Sequence, residues 1–119
     1  MRVITFNANG IRAAVRKGFY DWLSGMDADV VCIQETKAQA HQLTAPQFYP
    51  KGYTCQYVDA ERKGYSGVAI YSRQPPENII TQLGLPEFDA EGRYCAFDFG
   101  DFQIASLYLP SCLLYTSDA

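Results

Sequence analysis

The chain has 119 residues, 48 % of them hydrophobic and 19 % charged, which suits one domain with a real core and excludes disorder over most of its length. A formal net charge of -3 and a pI of about 5.0 exclude a global positive field, so any anion must be met by a local basic patch or a metal ion. The first seven residues, MRVITFN, carry one charge before apolar alternation begins, and no apolar run approaches membrane-spanning length, so the expectation is a cytoplasmic protein with no leader and no membrane contact.

Val3 to Asn7 reads as a short buried strand that ends in the polar turn NANG, where Gly10 can take dihedrals closed to other residues. Ile11, Ala14, Val15, Phe19, Trp22 and Leu23 then recur at helical spacing, with Arg12, Arg16, Lys17 and Asp21 mainly between them. This predicts one amphipathic helix from Ile11 to about Gly25, weakened but not forbidden by Gly18. Asp29 to Gln34 is the second strand. Strand, helix, strand in so short a span predicts a crossover unit whose strands share a sheet and bring Asn7 and Glu35 to one edge, where ligands of open sheets gather.

From Tyr53 onward YTCQYV, GVAIYSR, RYCAFDF and FQIASLYLP each have strand composition, and Gly100-Asp101 is a tight hairpin connection. The segment QPPENIITQLGLPEFDAEG reads mostly as surface connection, with NIITQL as a further strand candidate. Cys32, Cys55, Cys95 and Cys112 form no CxxC pair, and three of them sit in apolar or strand-like runs, so structural reduced thiols are preferred over zinc or disulfides.

Taken alone, Glu35 is a solvated carboxylate at a strand end. Its flanks, Gln34, Thr36 and Lys37, are all hydrogen-bonding types, and Asn7 is expected at the neighbouring strand end, as suits a hard, oxygen-ligated cation meeting phosphate. Arg62, Lys63 and Tyr65 lie in a glycine-bracketed loop. The ordinary reading is solvated charge; the functional one is a loop that tracks a phosphate backbone and wedges against a base or sugar. Tyr108 closes a strand before Pro110 and reads on its own as a satisfied core tyrosine, and His41, in the polar run KAQAHQ, is assigned nothing.

In this order and spacing, FNANGIRA, IQETK, GYSGVAIYSR and LYLPS resemble the exonuclease III family of abasic-site endonucleases, within the endonuclease/exonuclease/phosphatase superfamily, over about Met1 to Ser111. The resemblance implies an α/β fold, the N-terminal half of a two-sheet β-sandwich flanked by helices. It implies that Glu35 ligates Mg2+ (or Mn2+), that Asn7 organises the metal and phosphate site, and that Tyr108 stands beside the scissile phosphate. Arg12, Lys17, Lys37 and Tyr65 match positions that meet the DNA backbone, and Asn9 stands where some members carry aspartate. The implied reaction is metal-dependent hydrolysis of a phosphodiester 5′ to an abasic site, with 3′ to 5′ exonuclease activity, on double-stranded DNA with abasic sites or 3′ ends.

The family's GDxN-type and SDH-type segments, which supply the groups that orient and activate water, do not occur here, so the chain is expected to be incomplete and inactive alone. The domain is expected to occupy residues 1–111. Residues 112–119, CLLYTSDA, are expected to be a non-native tail, because one choice of their codons spells a sequencing adapter. Two other readings stay open: a phosphohydrolase of the same superfamily acting on a phosphoinositide or phospholipid, and a non-catalytic binding module.

Overall fold

The computed structural model describes residues 1–109; the expected tail, with Cys112, lies outside the described residues. The order is β1 (Val3–Asn7), α1 (Ile11–Arg16), α2 (Phe19–Ser24), β2 (Val30–Gln34), two single 3-10 turns, β3 (Thr54–Val58), β4 (Val68–Ser72), β5 (Asn78–Ile80), α3 (Pro86–Asp89), β6 (Tyr94–Asp98) and β7 (Gln103–Leu107). Two sheets result, one ordered β1-β2-β4-β3 and one ordered β5-β6-β7. The two-sheet α/β architecture expected from the sequence is present.

The run VVCI is apolar at every position because β2 is covered on both faces. Val31 and Ile33 point with Ala69 and Tyr71 of β4 into a core roofed by Ile11, Phe19 and Leu23 of the helices. Val30 and Cys32 point with Val68 and Ile70 the other way, against Cys95, Phe97 and Phe99 of the second sheet. β1 and β2 are parallel with Asn7 beside Gln34, and β4 runs antiparallel to β2, so the C-terminal ends of β1 and β2 meet at one edge as expected.

The single helix expected from Ile11 to Gly25 is instead two. Gly18 takes φ +100, the Lys17 N–H closes the first turn on Ala13 and Ala14, and the chain restarts at Phe19. The break turns Phe19 and Leu23 into the core while Trp22 stays 45 % exposed, stacked on Phe19 and tilted against Phe6. A continuous 3.6-residue period does not reveal such a break, because a left-handed glycine shifts the phase without disturbing the apolar spacing.

In the second sheet the β6–β7 hairpin closes as expected, with the Phe99 N–H donating to the Phe102 carbonyl at 2.9 Å and Gly100 at φ +94. NIITQL contributes β5, but α3 was not expected. Pro86 starts it, and both Asp89 carboxylate oxygens accept the amides of Leu83 and Gly84, a local closure that composition alone does not show. Among the described residues no helix is long and apolar enough to cross a membrane.

Candidate active site

Beyond the last paired residues of β1 and β2 the two chains stay joined. The amides of Ala8, Gly10 and Ile11 donate to the carbonyls of Gln34, Glu35 and Thr36 at 2.9, 2.8 and 2.9 Å. On its other side the same segment is held by the loop before β4, with Thr36 N–H on Gly67 O at 3.1 Å and Lys37 N–H on Ser66 O at 2.8 Å. Residues 35–37 are therefore wedged between two loops by main-chain bonds. This explains how a carboxylate at a strand tip can be aimed.

The wedge is strained. Five non-glycine residues among those described have positive φ, and four of them, Asn9, Glu35, Lys37 and Ser66, lie at this edge. Each left-handed residue costs roughly 1–2 kcal/mol, a cost that surrounding structure must impose and that clusters at functional sites. Asn9 is the mildest case, since its N–H is met by Asn7 Oδ1 at 3.0 Å in an Asx-type turn. Gly67, at φ +89, has no alternative: an added Cβ would lie 2.1 Å from Thr36 Oγ1.

The second sheet supplies the opposite wall. Tyr108, just past β7, donates its phenol to Glu35 Oε1 at 2.8 Å, across 73 residues of sequence. Because a phenolate would face that carboxylate, Tyr108 is pushed above its ordinary pKa by the bond to Glu35 first and by desolvation second. A polar chain beneath the pair ties the sheets together: Thr5 Oγ1 donates to Gln34, Gln34 Nε2 donates to Ser106 Oγ at 3.1 Å, and Ser106 donates to the Ile33 carbonyl at 2.9 Å. Ser106 is buried, so the chain leaves neither hydroxyl without a partner.

The structure brings Asn7, Glu35, Lys37 and Tyr108 to one edge. Lys37 Nζ donates to Asn9 Oδ1 at 2.7 Å, so the Asn9 side chain is engaged by a lysine. Lys37 also borders a concavity of 280 Å³ with Gly10, Arg12, Ala13 and Arg16, a local basic patch on an acidic chain. Lys17 is not part of it; it lines a separate, apolar concavity with Phe6, Phe19 and Trp22. Tyr65 sits on the loop that clamps Lys37, with the Arg62 guanidinium 5.4 Å from its ring centroid and Arg93 Nη2 donating to its hydroxyl at 2.8 Å.

Two contributors, Ser106 and Arg93, and the inter-sheet role of Gln34 carry little signal in the sequence. Ser106 looks like an ordinary strand polar, and Gln34 like a flank of Glu35, until the two sheets stack. Arg93 precedes an apolar strand and gives one signal only, a charge at the mouth of a run that has to be buried. For metal binding the donors at this edge are an amide oxygen and one carboxylate, and among the described residues no group of three or more His, Cys, Asp or Glu is assembled. That set suits a hard cation such as Mg2+, which keeps most of its shell as water and substrate oxygens, and does not suit a closed protein cage.

Residues 4–115, which include this edge, match the model of the endonuclease/exonuclease/phosphatase family. The chain belongs to this family. Among curated proteins, it is 38 % identical over 112 residues to an exodeoxyribonuclease of Bacillus subtilis, covering 93 % of this chain and 43 % of that protein. It is 36 % identical over 115 residues to the DNA repair nuclease APEX1 of Danio rerio, covering 93 % of this chain and 36 % of that protein. The solved AP endonuclease of Archaeoglobus fulgidus superposes with a TM-score of 0.77 at 29 % identity, over 91 % of this chain and 41 % of that one. The chain thus spans less than half the length of each, and the resemblance read from its motifs is to the same class of enzyme.

Proposed function

We propose that these residues form the metal- and phosphate-binding half of a DNA-repair nuclease of the cytoplasm that hydrolyses phosphodiesters 5′ to abasic sites and degrades DNA from 3′ ends. The observation that carries the reading is the Tyr108–Glu35 hydrogen bond, which joins the two sheets at the edge where Asn7, Lys37 and the Tyr65 loop converge. A satisfied core tyrosine would bond within its own sheet or to backbone. This one is spent on a strained carboxylate at the rim.

In the proposed roles Glu35 and Asn7 would hold Mg2+, with Mn2+ as a substitute. When bound, the ion supplies a positive charge against that developing on the phosphate. Tyr108 would donate to a phosphate oxygen, and Asn7 would help hold the phosphate beside it. Arg12 and Lys37 supply positive charge for the strand backbone, and Tyr65 a ring for the sugar face left open at a missing base. Lys17 stands apart from that patch and would reach a more distant phosphate. An abasic sugar has no base to unstack, which lowers the cost of extruding it.

The groups that would activate water are proposed to lie beyond residue 111 of the natural protein, with residues 112–119 a non-native tail. Amplifying and sequencing the source locus across Pro110 tests this: an open frame continuing into GDxN- and SDH-type segments is expected, and a stop after Ala119 would overturn it. The full-length product is then expected to cut an abasic duplex with Mg2+, to lose that activity in a chelator, and to leave a soluble inositol phosphate intact. Cleavage of the inositol phosphate in place of the duplex would refute the nuclease reading.

A further inference from the structure

Glu91, Gly92 and Arg93 connect α3 to β6 and take no part in the roles proposed above, yet they contact both the Tyr65 loop and the Tyr108 backbone. The Arg93 side chain is 4 % exposed and pairs with Glu91, whose own side chain is 41 % exposed. Its Nη2 donates to the Tyr65 hydroxyl at 2.8 Å, while its Nε is buried without a partner. Removing a guanidinium from water is expensive, and a well-packed apolar residue in place of a buried ion pair is often neutral or better. A position that only filled space would not need this charge.

The main chain of the same segment reaches the other elements. The Arg93 carbonyl accepts the Tyr108 N–H at 2.9 Å, and the Gly92 carbonyl accepts Gly67 N–H at 3.0 Å and Ser66 Oγ at 3.2 Å. The Tyr65 ring is thus fixed at its hydroxyl by Arg93 and at its face by Arg62, and the backbone that holds Arg93 also holds Tyr108, whose phenol is on Glu35. We propose that Arg93 is a positioning residue that locks the Tyr65 loop to the Tyr108–Glu35 pair, so that contact with a DNA strand and the reacting end of the site are set together. The proposal rests on the nuclease reading for its consequence in catalysis and on the geometry alone for the coupling itself.

The test uses the full-length protein with four variants: Arg93→Met, Arg93→Lys, Tyr65→Phe and the double variant Arg93→Met/Tyr65→Phe. Single-turnover cleavage of a duplex with a tetrahydrofuran abasic analogue is expected to fall about 10-fold in Tyr65→Phe and in Arg93→Met, and about 10-fold, not 100-fold, in the double variant. Arg93→Lys keeps the charge without the planar fork and is expected to behave like Arg93→Met. The coupling has a readout that needs no cleavage: amide hydrogen exchange at Tyr108 is expected to accelerate roughly 10-fold in Tyr65→Phe, which removes one distant oxygen.

Multiplicative losses in the double variant would show that Arg93 acts independently of Tyr65 and would overturn the proposal, as would unchanged exchange at Tyr108. A folded wild-type protein that leaves the duplex intact would instead refute the nuclease reading, and the exchange measurement would still decide the coupling. Should Arg93→Met fail to fold, Tyr65→Phe carries the exchange test alone.

Discussion

Gly92 is where a single methyl group should do most damage. Its φ is +61, and a Cβ built on it would lie 2.5 Å from the Ala60 nitrogen, 2.5 Å from the Asp59 carbonyl carbon and 2.8 Å from the Asp59 oxygen. All three are backbone atoms, so no flexible side chain can move aside. Left-handed strain of about 1–2 kcal/mol adds to an overpacking cost of about 1–3 kcal/mol, giving a loss of roughly 2–5 kcal/mol for Gly92→Ala. Gly64→Ala is the matched control, with φ +68 and no atom within 4 Å of the added carbon, and should lose only about 1 kcal/mol. Urea unfolding of both variants gives the difference. Because Gly92 O also anchors Ser66 and Gly67, exchange at the Gly67 amide should rise in Gly92→Ala before global unfolding. Equal stability of the two variants would refute the close-approach reasoning.

Replacing Glu35 by Gln preserves an acceptor for Tyr108 but removes the charge. In the full-length protein the melting temperature should hold within a few degrees while cleavage falls at least about 100-fold; near-normal turnover would remove Glu35 from the reaction. Arg12→Ala and Lys37→Ala should each weaken duplex binding across sequences and lower the slope of log affinity against log salt by about 1, and a salt slope that does not change would exclude a phosphate contact. Desolvation pushes the Cys32 thiol up to about 11 and those of Cys55 and Cys95 up to about 12. Their folded pKa values exceed the unfolded one, so their contribution is complete below about pH 9 and is lost as pH rises toward 11–12, because the unfolded chain releases those protons first. The raised phenols of Tyr57 and Tyr71, desolvated in the helix-side core, act in the same direction. The urea midpoint should therefore fall between about pH 8 and pH 10.5, and mapped alkylation at about pH 8 should spare these three cysteines until the chain unfolds; a midpoint that rises with pH would contradict this.

Much of the site was legible because its determinants are local. An apolar run closed by Gln34, Glu35, Thr36 and Lys37 can be read without neighbours, and so can a glycine-bracketed loop holding Arg62, Lys63 and Tyr65. Strand identity follows from the same logic: a doubly covered strand is apolar where both faces are packed, as VVCI of β2 and VAI of β4 are. Where local signals conflict with geometry the reading was incomplete, as at Gly18, which splits one expected helix into α1 and α2.

By itself the sequence determined that β1 and β2 pair around a crossover, that their tips carry Asn7 and Glu35, and that basic residues cluster in short loops. Period, composition and turn chemistry encode these within a few residues of chain. Only the tertiary structure decided that Tyr108 reaches Glu35, that Gln34 and Ser106 rivet the sheets, that Lys17 stands apart from Arg12 and Lys37, and that Arg93 joins Tyr65 to the strand end. Those contacts span from 28 to 73 residues where they carry the site, and hydrogen bonds over such separations depend on how the elements pack, a property of the folded core that no window of sequence contains.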